Sequence, residues 1–475
     1  MEKLVEDVDV IDKFMKKNIL LLFLLISTFG LSQEINKTYK KRVLESIEVD
    51  FLSSYYNQEG SNASVTGGIG NEDLEDFSPT IVINIPLNED DVITIDLGIS
   101  TYTSASSSNG NPFDAGVNTD ETSSPWYASS GASKVDDWKS LNIDYSHSSD
   151  DRNTLVSANL STASEWDYQS FGFGGGVTKL FNDKNSSISL NTKIYLDNWI
   201  PIYPKELDAF IDADGNTSSG FFNNRTIYDK LGNISNKWSP KEKSKLMDDK
   251  SRNTYSVSFL FSQIINKNTQ FALFIDLIKQ EGWLANPLQR VYFSDKDNFY
   301  IGNPSSIPFY TSKLNKDVFH LADDIERLPN SRIKIPFGIR FNYFLNENLT
   351  LRTYYRYYFD DWKVNSHTIN LELPIKLSDY FTFYPSYRFY TQTKSKFFEP
   401  YDKHLSSSKY YTSDYDLSKF KSNQFGLGLK YVDIFTKFKI WELGLKSIDL
   451  NYSNYKRDSD FNSNIISMGL KFVMD

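Results

Sequence analysis

The chain has no cysteine among its 475 residues. Disulfides, thiolate metal sites, a cysteine nucleophile and a lipid-anchored cysteine are therefore excluded. Histidine is nearly absent, with four residues, which argues against a multi-histidine metal centre. An excess of positive charge is missing too. The net charge is −10 and the isoelectric point about 5.1, so a nucleic-acid partner is disfavoured electrostatically. No apolar run reaches the roughly 20 residues that a membrane-spanning helix needs. Mean hydropathy is −0.45, unlike that of a polytopic helical membrane protein. Aromatics, by contrast, are abundant at 15%, with 30 Tyr and 35 Phe, a composition foreign to disordered chains.

The N-terminal region reads as an export signal. Lys16 and Lys17 precede an unbroken apolar run from Ile19 to Ile26, and Gly30 and Ser32 are small residues ahead of Gln33. This is the pattern of a secretory signal peptide over 15–32. The acidic stretch 1–14 is wrong for a signal n-region and reads as a non-native extension. Residues 33–45 then form a periplasmic lead-in to a domain spanning 46–475.

A period of two runs through that domain. Ile81, Ile83, Ile85 and Leu87 form one apolar stripe, and Ile93, Ile95, Leu97 and Ile99 the next. Others are Ile333 to Phe341, Leu349 to Tyr357, Ile369 to Ile375, Phe425 to Leu429 and Ile466 to Phe472, each taken at every second residue. Strict alternation marks strands with one apolar and one polar face. Short polar turns (NEDD, SSDDRN, NDKN, INKN, LNEN) alternate with long segments near 58–79, 103–136, 199–251, 282–331 and 393–421. Sixteen strands are expected, between 46–57 and 464–474, with the stretch 432–446 ambiguous. An exported chain of this design predicts an all-β fold, a transmembrane antiparallel barrel with short periplasmic turns and long extracellular loops. The expected location is the outer membrane of a Gram-negative bacterium, with membrane lipid and the barrel assembly machinery as partners.

Several stretches go beyond this pattern. They include Asp50, Tyr55–Tyr56, Val65 to Gly70, Arg252-Asn253-Thr254, Asn286-Pro287, Val291-Tyr292-Phe293 and Arg356-Tyr357-Tyr358 with Asp360-Asp361-Trp362. In these the chain resembles the domain of unknown function 3570 family of outer-membrane proteins, over nearly all of 46–475. The resemblance implies an envelope barrel and supplies no substrate.

Alternation assigns Arg352, Tyr354, Arg356, Tyr358 and Asp360 to a lumen face, joined by Lys334, Arg340, Glu372, Lys376, Arg388 and Tyr390. Clustered cations and carboxylates there set the field in a pore or hold a small solute; the bland reading is that they brace the wall. Tyr355, Tyr357, Phe359 and Trp362 fall to the lipid face as an aromatic girdle. Asp212, Asp214 and Asn216 with Gly215 resemble part of a calcium loop, although Asn223 stands where a bidentate Glu is required. Ser130-Gly131-Ala132-Ser133 looks like the acceptor motif for covalent flavin mononucleotide, with Ser133 as attachment point, yet Tyr127 replaces the usual upstream Asp. No spacing pairs His147, His320, His367 or His404 with a nucleophile, and the Gly-rich stretches 67–72 and 172–177 lack a strand–helix context for phosphate. No resident cofactor and no enzyme activity are expected. The leading expectation is a pore or binding protein for a small solute. The competing one is a structural or assembly scaffold for a periplasmic partner, of which a redox or flavin-linked envelope system is one form, and a barrel hydrolase ranks last.

Overall fold

The structure is a computed structural model that describes residues 42–103, 135–218, 220–241, 250–310 and 318–474. Residues 15–32, read above as a signal peptide, the stretch 1–14 before them and Ser133 lie outside the described residues.

Sixteen long strands alternate along the chain. They are β1 (Ile47–Gly60), β2 (Leu74–Pro86), β3 (Asp91–Thr103), β4 (Val135–Ser148), β5 (Thr154–Ser164), β6 (Tyr168–Phe181), β7 (Ser186–Trp199) and β8 (Arg252–Asn266) in the first half. The second half holds β9 (Thr269–Gly282), β10 (Ser331–Asn346), β11 (Leu349–Asp360), β12 (Asn365–Glu372, resuming at Ile375–Lys376), β13 (Phe381–Gln392), β14 (Phe420–Val432), β15 (Leu443–Arg457) and β16 (Phe461–Met474). Each is antiparallel to the next. β1 also pairs with β16, from Ile47 opposite Met474 to Gly60 opposite Phe461, which closes the sheet. Closure leaves no unpaired edge, the condition for a sheet in hydrocarbon. The break in β12 falls at Leu373–Pro374, where proline cannot donate to the ladder.

The alternating residues divide as expected. Ile81, Leu97, Leu273, Leu427 and Leu450 stay exposed on the outside of the wall, whereas in a water-soluble protein such a continuous belt would be covered. Seven turns and both ends of the sheet lie at one end of the cylinder, and eight connections lie at the other. Most strand limits agree with the alternation to within one to three residues. β2 is the exception. It begins at Leu74, because the polar stretch before the Ile81 stripe pairs with β1 through Gln58 opposite Leu74.

The larger difference concerns the long loops. Where described, they are not extended. The described parts of 200–251, 283–330 and 393–419, with 61–73, fold into one compact cap. It contains helix α1 (Lys205–Asp212), a two-stranded ribbon (Arg290–Val291 with Asp324–Ile325) and a three-stranded sheet (Tyr228–Asp229, Phe299–Gly302, Val318–His320). The largest fully buried side chains lie in this cap, among them Arg290, Tyr292, Tyr411, Phe222, Phe293 and Leu207. Trp238 packs against Phe210 and Phe222, with ring centroids 5.0 and 5.2 Å apart. His320 stacks on Tyr292 at 4.1 Å and on Tyr300 at 4.7 Å, and burial pushes it down to about 3, so the ring is neutral. The Arg290 guanidinium is 1% exposed and grips Glu206 of α1 through two bonds of 2.7 and 3.0 Å. Its third arm donates to the Val65 carbonyl at 2.8 Å, tying the cap to the β1–β2 loop. Gly67 has φ 85, and a Cβ there would lie 2.7 Å from the Tyr292 ring, so this loop can approach the cap only as glycine.

Candidate functional site

The lumen wall of β10 to β14 is a lattice fixed by register. One row across neighbouring strands reads Arg340, Tyr354, Asn370, Arg388, Gln424. The row towards the turn end reads Arg352, Glu372, Ser386, Gly426, and the row towards the loop end Gly338, Arg356, Thr368, Tyr390, Ser422. Every residue in these rows is one step out of phase with the apolar stripes, so the polar set points inward.

The arginines differ in their surroundings. Arg340 lies over the stacked rings of Phe274 and Tyr354, 5.8 Å from each centroid. Arg352 donates to Glu372 at 2.8 Å. Neither Arg356 nor Arg388 forms an ion pair among the described residues, and Nε of Arg356 is buried without a hydrogen-bond partner. Both line a cavity of about 310 Å³ with Tyr354, Asn370, Ser386 and Gln424. A second cavity, about 610 Å³, shares Ser386 and Gln424 with the first and continues to Lys430 and Asp449, an ion pair of 3.1 Å. A third, about 540 Å³, shares Lys430 and Asp449 and reaches Asp50 and Lys471. Shared lining residues set the three side by side along the wall, from the Arg356 row towards the turn end. There Lys446 and Lys471 hold Glu48 at 2.9 and 2.6 Å. Across the cylinder the inward residues of β2 to β4 include Asp76, Asp96 and Asp144. The interior is therefore polarised, cationic on the β10–β13 wall and acidic opposite.

Other residues singled out in the sequence are committed to structure. Asp360 is buried, accepts from Arg332 at 2.9 Å, from Tyr358 at 2.7 Å and from the Val364 amide at 2.9 Å. Arg332 in turn lies 4.3 Å over the Trp362 ring. Asp360 and Tyr358 thus brace the loop-end rim and are not available to a solute. Asp212, Asp214 and Asn216 form the turn that ends α1, where the Gly215 amide donates to the Phe210 carbonyl and Asn216 Oδ1 accepts from the Ser218 amide. No group of three acidic or histidine ligands occurs among the described residues.

The cap forms the roof. Tyr390 donates to Gln392 at 2.6 Å, and Gln392 donates to the Asp416 and Ser418 carbonyls of the cap at 2.8 and 2.5 Å. Arg457 bonds Asp416 at 2.7 Å. Behind this seam Glu326 accepts from the Asn286 amide, and burial, then the nearby Asp414, pushes it up to about 8. Burial likewise raises Glu72 to about 7. Asn370, Ser386 and Gln424 carry neither charge nor an aromatic ring and so gave no sequence signal of their own, although the alternation that places Arg356 inward places them too. The cap core had no such signal, since its contacts join loops far apart in the chain.

Residues 24–459 match the model of the family described as protein of unknown function (DUF3570). The chain belongs to this family. No curated protein matches the sequence. Among solved structures, a bacterial polysaccharide outer-membrane secretin is similar at 9% identity and a TM-score of 0.42, covering 90% of this chain and 99% of its own. Pseudomonas aeruginosa OpdK with vanillate is similar at 7% identity and 0.36, covering 91% and 99%. A BenF-like porin from Pseudomonas fluorescens is similar at 8% and 0.37, covering 90% and 98%. The family's description assigns no activity, so the role of this DUF3570 chain is argued from its lumen.

Proposed function

We propose that this protein is an outer-membrane barrel that admits and binds a small anionic solute in its lumen, beneath a folded surface cap, without bond chemistry. The loop end then faces outward and the turn end the periplasm, following the usual placing of short turns. The observation that carries the reading is the pair Arg356 and Arg388. Two guanidinium groups without carboxylate partners, in a low-dielectric wall, supply a positive field where a passing solute must come close. The cavity also offers the amides of Asn370 and Gln424 and the hydroxyls of Tyr354 and Ser386, so an anion finds neutral hydrogen-bond partners beside the charge. The adjoining Arg352–Glu372 and Lys430–Asp449 pairs are self-neutralised and hold the wall.

The reading is tested by reversal potentials in a salt gradient across a planar bilayer. The Arg356→Glu/Arg388→Glu variant is expected to move the reversal potential from the anion towards the cation limit. An unchanged potential in a correctly folded variant removes these residues from the solute path.

A further inference from the structure

One connection at the turn end differs from the rest. The other turns span two to five residues, but β14 stops at Val432 while β15 begins at Leu443, and the ten residues between fold into a hairpin. The hairpin is held from within. Asp433, almost fully buried, accepts from the amides of Phe435 and Phe438 at 3.3 and 3.1 Å, and the Leu445 amide donates to the Phe438 carbonyl at 2.8 Å. Its apolar side chains nevertheless face out. Phe435 is 65% exposed and Trp441 93%, and Ile434, Phe438 and Ile440 are exposed as well. A preformed hairpin that leaves its aromatics uncovered has a surface awaiting an occupant.

Register identifies which face this is. Lys439–Ile440 pairs with Leu443–Gly444, with Ile440 opposite Leu443. Leu443 stands opposite Met474, and Leu445 opposite Phe472, in phase with the β16 stripe whose Ile466 and Met468 are exposed, while Leu445 and Phe472 themselves are covered. Ile440, and Phe438 two residues earlier, therefore continue the outer belt of the barrel. Next to the hairpin the belt is already aromatic, with Tyr431 within 5.3 Å of Phe381 and 6.4 Å of Tyr380. The depth follows as well, since Leu443 is level with Met474 and Ile47, the ends of the sheet. Lys437 and Lys439 interleave with the aromatics, and Lys437 lies 5.4 Å over the Phe435 ring.

We infer that the hairpin 433–442 is a membrane-interface anchor, which seats Phe435, Phe438, Ile440 and Trp441 among the headgroups and upper acyl chains of the turn-side leaflet. Two observations select lipid as occupant: the continuity of the hairpin face with the lipid-facing belt, and the lysines, which meet anionic phosphate at that depth. Amphipathic aromatics with flanking cations are the residues that settle at a bilayer boundary. The anchor fixes the height of the β14–β15–β16 seam, next to where the sheet closes.

The absence of cysteine makes the test clean. Trp441→Cys, labelled with an environment-sensitive fluorophore, is reconstituted as the full chain in vesicles of phosphatidylethanolamine and phosphatidylglycerol. Phe309→Cys, on the cap and 80% exposed, is the aqueous control. Heat-modifiable migration confirms that each barrel has folded. The expected result is a blue-shifted emission at 441, loss of quenching by aqueous iodide relative to 309, and quenching by lipids brominated near the headgroup more than by lipids brominated near the chain end. Water-like emission at 441 with iodide quenching equal to that at 309 would overturn the inference, and would leave the hairpin as a face for a periplasmic protein.

Discussion

Removing the Glu206 carboxylate is expected to open the cap and leave the barrel standing. Arg290 is 1% exposed, and in Glu206→Ala it loses both short bonds while staying charged and enclosed, with only the Val65 carbonyl left to it. Breaking a buried pair from one side costs about 3–5 kcal/mol. That is a large part of the ~5–15 kcal/mol that holds a whole domain. The barrel does not share the loss, because its strands are held by ladders that close without the cap. Limited proteolysis of the protein in vesicles is the assay. New cleavage is expected within 200–251 and 283–330, while the barrel keeps its heat-modifiable migration. The double variant Glu206→Leu/Arg290→Met, which replaces the pair by apolar side chains of similar size, should recover most of the resistance. Proteolysis of Glu206→Ala at the wild-type rate, or a double variant as sensitive as the single one, would refute the reasoning.

Two further outcomes follow. Glu326 is held up to about 8 in the closed cap against an ordinary value of 4.5, so the closed cap binds the proton more tightly than the loosened one. Its contribution to closure is then fully present below the ordinary value and is lost as pH rises towards 8; protease resistance should fall between pH 5 and pH 9, and Glu326→Gln should flatten that profile. Leu427, on the lipid side of β14, becomes costly when charged: Leu427→Arg should lower the denaturant midpoint by an amount equivalent to about 2–4 kcal/mol if it lies near the bilayer midplane, whereas Ser453→Arg on the lumen face should not.

The wall was legible because its rule is local. Each barrel residue is placed by the parity of its position, so Ile93 and Thr94 declare their sides from the sequence alone, and so do Arg356 and Tyr357. Parity also reached the lumen lattice, but it does not tell a free charge from a committed one. Arg352 and Asp360 were read as equivalents of Arg356, and only the register that brings Glu372 and Arg332 alongside them separates the cases. The cap was illegible for the opposite reason. Glu206 and Arg290, or Phe293 and Tyr411, are brought together by the three-dimensional path of loops rich in Ser, Asn and Gly, whose period carries no information about partners. The stretch 432–446 was ambiguous because the alternation breaks at its end, at the bulge between Leu445 and Ser447.

The central claim is that adjacent residues of one strand face lipid and water respectively. Leu450 and Asn451 on β15 test it directly, since the first is an exposed outer residue and the second lines the lumen beside Lys430 and Asp449. In the cysteine-free chain, Leu450→Cys and Asn451→Cys reconstituted in vesicles are exposed to a membrane-impermeant thiol reagent. Rapid labelling of Cys at 451 with none at 450 is the predicted result; equal labelling at both, or labelling at 450 alone, would contradict the account.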